Sequence, residues 1–230
     1  MVRTAMFREP RCTCLAQSVR AQILRKAGKL VQSVQRLGLQ DSVHPVLAAV
    51  LDIPGPVHIS YSERNSLLAQ ITQRGLNPRA GDKVAKADGI SLDGFCSFGG
   101  AVPRLVKIDV EGSEAAVLRG ARGLLSRPDR PAILFEYNPV TLTECGASVH
   151  SLLDLLPGYA LHYVNDLAGQ KIPFGGRVQH VEEIDWICNL FAVPLTEYSA
   201  SRWASILKHS ARPPAGRMKL HGPRGREAIP

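Results

Sequence analysis

The chain has 230 residues, 45% of them hydrophobic, which is typical of one folded domain with a substantial core and excludes a disordered protein. The net charge of +8 comes from two basic ends, residues 1–36 and 201–230, which flank an acidic middle; this pattern is typical of solvated tails and does not favour a nucleic-acid binder. No apolar run approaches the roughly 20 residues of a membrane span, and the first residues lack the apolar core of a secretory signal, so we expect a cytoplasmic protein without a membrane partner.

The N-terminal part of the chain mixes helical and strand patterns. The predicted elements are a helix at 15–36, a strand at 46–50, a strand at 57–62, one or two helical turns at 65–71, and a strand followed by a turn at 82–95. We therefore expect three regions. They are a basic helical segment (1–36), a core (37–200) and a basic, loosely attached tail (201–230).

The pattern becomes regular in the second half of the core. Apolar strands are predicted at 104–110, 132–136, 159–166 and 187–194, with helices at 113–126 and 148–157. Alternation of nearly continuous apolar strands with amphipathic helices predicts an α/β fold, with a mostly parallel sheet covered by helices on both faces.

Carboxylates stand where two of these strands end. Asp109 and Glu111 follow the strand 104–110, and Glu136 ends the next strand. A short crossover makes the two strands neighbours, about 4.8 Å apart, and ligands bind at the carboxyl ends of such strands. We therefore expect Asp109 and Glu136 to face one cleft, where they share a proton, a metal ion or a hydroxyl group.

Structural roles compete with functional ones at these positions. Glu114 stands in the first helical turn, where the helix dipole favours a negative charge, and Lys107 is expected to pair with an acid. For Glu111 both interpretations are open. For Asp109 the functional interpretation is favoured, because a carboxylate at a buried strand end needs an interaction partner or a functional role.

Metal sites receive little support from the sequence. A divalent ion held by Asp109, Glu136 and Asn138 is an alternative, because hard cations prefer such oxygens. The seven histidines have no ligand spacing, and no second cysteine pair follows Cys12 and Cys14. The five cysteines, an odd number without framework spacing, fit free thiols in a reducing compartment.

The stretch "LVKIDVEGSEAAVLRGARGLL", followed by "RPAILFEYN", resembles the signature of the FkbM-type methyltransferases. "LGLQDSVHPVLAAVLDIPG", "VAKADGISLDGF" and "NLFAVP" resemble flanking segments of that family, in the same order. The resemblance covers residues 37–194. It implies a Rossmann-like, class I methyltransferase fold and transfer of a methyl group from S-adenosylmethionine to a hydroxyl on a sugar or polyketide-like small molecule. Asp109 would then orient the acceptor or act as base, and Glu111 and Glu136 would hold acceptor hydroxyls.

One element of the family pattern has no counterpart in the sequence. The family begins with a strand and a glycine-rich turn that approaches the cofactor, and nothing in residues 1–45 matches it. Glu9-Pro10 resembles the acidic position that binds the ribose hydroxyls, so Glu9 is the candidate for that role. We therefore expect an N-terminally incomplete core. Two hypotheses remain, an active methyltransferase and a truncated, inactive relative that serves as a binding module or is a degraded reading frame.

Overall fold

The computed structural model describes residues 4–7, 12–16, 20–61, 69–71, 81–99, 102–164, 177–196 and 203. The strands in these ranges are β1 (Thr4–Phe7), β2 (Cys12–Ala16), β3 (Val43–Leu47), β4 (Ala49–Val50), β5 (Gly55–Tyr61), β6 (Ala69–Ile71), β7 (Lys83–Ile90), β8 (Leu105–Ile108), β9 (Ala132–Tyr137), β10 (Tyr159–Val164) and β11 (Cys188–Pro194). The helices are α1 (Arg20–Arg36), α2 (Leu92–Gly99), α3 (Glu114–Arg119), α4 (Arg122–Leu125), α5 (Pro139–Glu144) and α6 (Val149–Leu153), with a 3₁₀ helix at Val181–Glu183. Within these ranges, no helix has the length and apolar character needed to cross a membrane.

A seven-stranded sheet forms the centre of the fold, in the order β10-β11-β9-β8-β1-β2-β3. Strands β8 and β9 are parallel neighbours in its middle, which confirms the pairing predicted for 104–110 and 132–136. The sheet as a whole is mixed, however, and the prediction of a mostly parallel sheet is wrong. Strand β1 is antiparallel to both β2 and β8, and β11 is antiparallel to both β9 and β10. Four residues separate β1 from β2, which is too few for a parallel crossover.

A second, four-stranded sheet has the order β4-β7-β5-β6 and was not anticipated. Its strand β5 is antiparallel to both β6 and β7, while β4 is parallel to β7. The helical turns predicted for 65–71 are wrong at Ala69–Ile71, because these residues pair with β5 instead. Tertiary pairing at a sheet edge has overridden the weak local helical pattern.

The two faces of the large sheet carry different clusters. On one face, Val106 and Ile108 of β8 and Ile133 and Phe135 of β9 pack with apolar residues of α3, α4 and α6 to form the main core. On the other face, a smaller apolar cluster comprises Ala132, Phe191 and Val193, with Leu105, Leu134, Val164 and Trp203 packed against it. The indole of Trp203 meets the Phe191 ring edge to face, with centroids 5.2 Å apart. The candidate functional site lies among the side chains at the strand ends on this second face.

Several helices differ from the sequence expectation. The helix predicted at 113–126 is divided into α3 and α4, and a β-carbon on Gly120, between them, would overlap the carbonyl oxygen of Leu51. The helix predicted at 15–36 begins at Arg20 instead, because Leu15 and Ala16 belong to β2. Helix α5 was missed. Its signal is Asn138-Pro139, an N-cap followed by proline at the first helical position.

Candidate functional site

The backbone register brings Asp109 and Glu136 side by side. Ile108 of β8 pairs with Phe135 of β9, so the next residue of each chain segment, Asp109 and Glu136, lies at the same level. Both stand at the carboxyl ends of central parallel strands, as the sequence predicts. Because side chains alternate along a strand, both belong to the face that carries Leu134.

A lysine accompanies the carboxylate of Asp109. The Nζ atom of Lys107 lies 3.4 Å from Oδ2 of Asp109, and the two side chains keep 29% and 23% of their surface exposed. The expected pairing of Lys107 with an acid is therefore confirmed. Partial exposure leaves the carboxylate within reach of a small molecule in solution.

The row of polar side chains continues into the next strand. Glu136 pairs with Asn189 of β11 in the antiparallel register, and both side chains are half-buried. Asn189 was missed by the sequence reasoning. The available signal was one amide in the otherwise apolar strand "ICNLFAVP".

The turn between β8 and α3 is unusual in its backbone. Glu111 adopts φ +54°, a left-handed conformation that is sparsely populated by residues other than glycine, and Gly112 follows at φ +97°. A β-carbon on Gly112 would lie 2.5 Å from the carbonyl oxygen of Thr141, so α5 leaves no room for any other residue. The thiol of Cys145 donates to the carbonyl oxygen of Glu111 across 3.9 Å. Contacts with α5 thus hold the backbone of Glu111 in its strained conformation.

The carboxyl of Glu114 serves this turn from inside the core. Its side chain is 3% exposed, and its Oε1 accepts a hydrogen bond from the backbone N–H of Val110 at 3.0 Å. The pKa of Glu114 is raised to about 7, mainly by burial; the backbone hydrogen bonds lower it, and the charges of Glu136 and Asp109 raise it. Glu114 thus stands in the first turn of α3 with a structural role, as expected, but its surroundings favour the neutral carboxyl and not the negative charge that a helix dipole favours. Desolvation outweighs the dipole because the group is buried beside two other acids.

Asn138 has a structural role in the fold. Its Oδ1 accepts from the backbone N–H groups of Val140 and Thr141, at 3.1 and 3.3 Å, and so caps α5. This use of the amide oxygen competes with the metal-ligand role considered for it. In the part of the chain that the structure describes, no group of three or more His, Cys, Asp or Glu side chains could hold a metal ion.

Asp93 performs a comparable structural task between two helices. Its two carboxylate oxygens accept from the backbone N–H groups of Gly123 and Leu124, at 2.8 and 2.7 Å. The "LDGF" segment therefore fixes the start of α4 to the start of α2. The sequence offers no local signal for this contact, because the bonded groups are about thirty positions away.

The described residues do not build the glycine-lined cradle that S-adenosylmethionine needs. Among the described residues, Gly112 is the glycine that follows a strand of the large sheet at the edge where Asp109 lies. The carbonyl group of Thr141 fills the space beside Gly112. Glu9, the candidate ribose ligand, lies outside the described residues.

The comparisons agree with the resemblance found in the sequence. The family model described as the methyltransferase FkbM domain matches residues 24–164, which is more than half of the chain. No significant match was found among curated proteins or among solved structures. The match includes both central strands, the strained turn and all of the acidic residues discussed above except Glu9. On this evidence the chain belongs to the FkbM methyltransferase family.

Proposed function

We propose that the chain is an S-adenosylmethionine-dependent methyltransferase that acts on a hydroxyl group of a sugar or polyketide-like small molecule. Membership of the FkbM methyltransferase family supports the reaction type. The observation that supports a binding site for the acceptor is the alignment of Asp109 with Glu136 at the carboxyl ends of β8 and β9. In sheets of this kind, ligands bind at that edge.

The positions of the acidic residues support a role for each of them. Asp109 orients the acceptor hydroxyl and takes its proton, because a partly exposed carboxylate can act as a base. Lys107 balances the charge of Asp109 in the resting site. Glu136, one strand away, and Glu111, on the strained turn, accept hydrogen bonds from further hydroxyls of the acceptor.

S-adenosylmethionine supplies an electrophilic methyl group when it is bound. Because the described residues do not provide its cradle, the roles given above concern the acceptor alone. Fixing the acceptor oxygen in a productive position is the main contribution that a protein makes to such a transfer.

The filled space at Gly112 favours a second candidate, an inactive relative that retains the acceptor side as a binding module. The two candidates differ in cofactor affinity. A calorimetric titration of the full chain with S-adenosylmethionine that gives a low-micromolar dissociation constant, about −8 kcal/mol, would support the enzyme. Absence of both binding and methyl transfer would support the binding module.

The decisive variant is Asp109→Asn, which keeps the size of the side chain but removes its charge and basicity. Loss of a general base typically lowers turnover about 10²–10⁴-fold, and we expect a fall of this order with an unchanged free energy of unfolding. Transfer of labelled methyl groups from S-adenosylmethionine to a panel of hydroxylated compounds measures turnover. The exposed Asp154→Asn is the matched control. Equal, small losses in both variants would make Asp109 structural, as would unfolding of Asp109→Asn.

A further inference from the structure

Glu114 is an acid beside the acceptor residues to which the proposed function gives no role. The five residues 109–113 join β8 to α3, and they include both Asp109 and Glu111. Glu114 is the first residue of α3, and its Oε1 accepts the backbone N–H of Val110 at 3.0 Å. The buried carboxyl thus binds the residue that lies between two of the acids assigned to the acceptor.

The hydrogen bond to Val110 constrains the backbone next to Asp109. The N–H of Val110 belongs to the planar peptide unit that begins at the α-carbon of Asp109, so a bond to this N–H fixes the direction of that unit. The side chain of Val110 is 1% exposed and packs in the main core, which holds the same residue from a second side. Contacts made inside the core therefore set the position of Asp109 at the strand end.

Two other contacts, both from the region of α5, hold the later part of the turn. The thiol of Cys145 donates to the carbonyl oxygen of Glu111, and the carbonyl of Thr141 lies against Gly112. Neither contact involves the peptide unit that follows Asp109. They therefore do not replace the bond that the buried carboxyl makes.

The carboxyl of Glu114 differs from a neutral hydrogen-bond acceptor because it can ionise. The acids that act on it are Asp109, with Lys107 beside it, and Glu136; the thiol of Cys145 is in turn affected by its charge. Mainly because of burial, the pKa of Glu114 is about 7, so its charge changes in the physiological range. Ionisation places a further negative charge beside Asp109, and a negative charge favours the movement of a proton onto a neighbouring carboxylate.

We propose that Glu114 is a positioning residue of the acceptor site, which fixes the peptide unit after Asp109 by its hydrogen bond and strengthens Asp109 as a base by its negative charge. This inference rests on the proposed function, because that function assigns the acceptor proton to Asp109. The Glu114 side chain is buried, so it acts through Asp109 and does not contact the acceptor. Glutamine at this position would keep the hydrogen bond and lose the charge, which separates the two effects.

NMR of the full chain without any ligand tests both effects. The side-chain carboxyl signal of Asp109 and the amide signal of Val110 are followed from pH 5 to pH 9 in the wild type, where both should show a step near pH 7 as Glu114 ionises. In Glu114→Gln the step should disappear, while the Val110 amide stays protected from hydrogen exchange. In Glu114→Met this amide should exchange about tenfold faster or more, because it loses its acceptor.

The pH dependence of turnover tests the consequence for catalysis. We expect wild-type kcat to rise about threefold to tenfold between pH 6 and pH 8, and this rise should be absent in Glu114→Gln, with little change in KM for the acceptor. The exposed Glu183→Gln is the control and should keep the wild-type profile. A purely structural role would instead lower kcat by the same factor at every pH.

The outcomes separate this inference from the proposed function. If the Asp109 and Val110 signals show no step near pH 7, or show the same step in Glu114→Gln, the inference is overturned whether or not methyl transfer is detected. If Glu114→Met does not fold, the comparison of the wild type with Glu114→Gln decides. The expected NMR steps in a chain that transfers no methyl group at any pH support the positioning contact and overturn the proposed enzyme. A rise in kcat that persists in Glu114→Gln overturns the effect of the charge.

Discussion

Replacing Glu114 with glutamine tests the buried carboxyl at the centre of the family element. The pKa of this group is raised from 4.5 to about 7, mainly by burial. Below pH 4.5, the carboxyl is protonated in both the folded and the unfolded chain. Between pH 4.5 and 7, the unfolded chain loses the proton while the folded chain keeps it, so the free energy of unfolding falls as the pH rises. Above pH 7, the carboxyl is ionised in both states, and the full free-energy cost of burying its charge remains.

The size of the penalty follows from the shift. Each pKa unit corresponds to 1.36 kcal/mol, so a shift from 4.5 to about 7 corresponds to about 3 kcal/mol. Glutamine cannot ionise, but its side-chain oxygen can still accept the hydrogen bond from the backbone N–H of Val110. We expect Glu114→Gln to be more stable than the wild type at pH 8 by up to about 3 kcal/mol, with the advantage disappearing towards pH 4.5.

Urea unfolding at intervals from pH 4.5 to pH 8 measures this difference. Subtracting the wild-type free energy from that of the variant at each pH removes the contribution of the other titrating groups. Glu183→Gln, on an exposed side chain, is the control and should give a flat difference. A flat difference for Glu114→Gln as well, or a variant that is less stable than the wild type at pH 8, would refute the buried-acid reasoning.

Two further predictions concern packing and capping, and both are measured by thermal or urea unfolding. Gly112→Ala should lower the free energy of unfolding by about 2 kcal/mol or more, because it combines a positive φ with overlap onto the Thr141 carbonyl. The control Gly146→Ala, at φ +73° with open space around it, should lower it by only about 1 kcal/mol. Equal losses in the two variants would contradict the steric argument. Asp93→Ala should lower the free energy of unfolding by about 1–2 kcal/mol, because two backbone N–H groups of α4 lose their acceptor. The control Asp88→Ala, at an exposed position, should change stability little. An unchanged midpoint for Asp93→Ala would mean that α4 does not need this cap.

The central strands could be predicted from the sequence because their signals are local. The apolar runs around Val106 and Ile133 are too continuous for half-exposed strands, and the short crossover between them allows one arrangement. The alignment of Asp109 with Glu136 then followed from strand spacing alone. These predictions required no knowledge of distant contacts.

The failures share a different origin, in contacts between distant parts of the chain. The short strand β6 depends on pairing with β5, and the division between α3 and α4 at Gly120 depends on the approach of Leu51. Glu114 shows the same limit at the site. Its place in a first helical turn is visible in the sequence, but its burial beside Glu136 depends on tertiary packing. A pattern of residues along the chain does not contain this information.

The different environments of the acids explain how they coexist at one strand–helix junction. Asp109 and Glu136 are one strand spacing apart, about 4.8 Å between backbones, and the total electrostatic repulsion among the three acids would rise if Glu114 were also ionised. Its pKa of about 7 keeps Glu114 largely protonated in mildly acidic solution, and Lys107 places a positive charge 3.4 Å from Asp109. Two of the three acids are partly exposed at the strand ends, while the third is buried and accepts a hydrogen bond from the backbone of the turn. Ionisation of Glu114 at higher pH therefore adds a third negative charge beside Asp109 and Glu136 and lowers the free energy of unfolding.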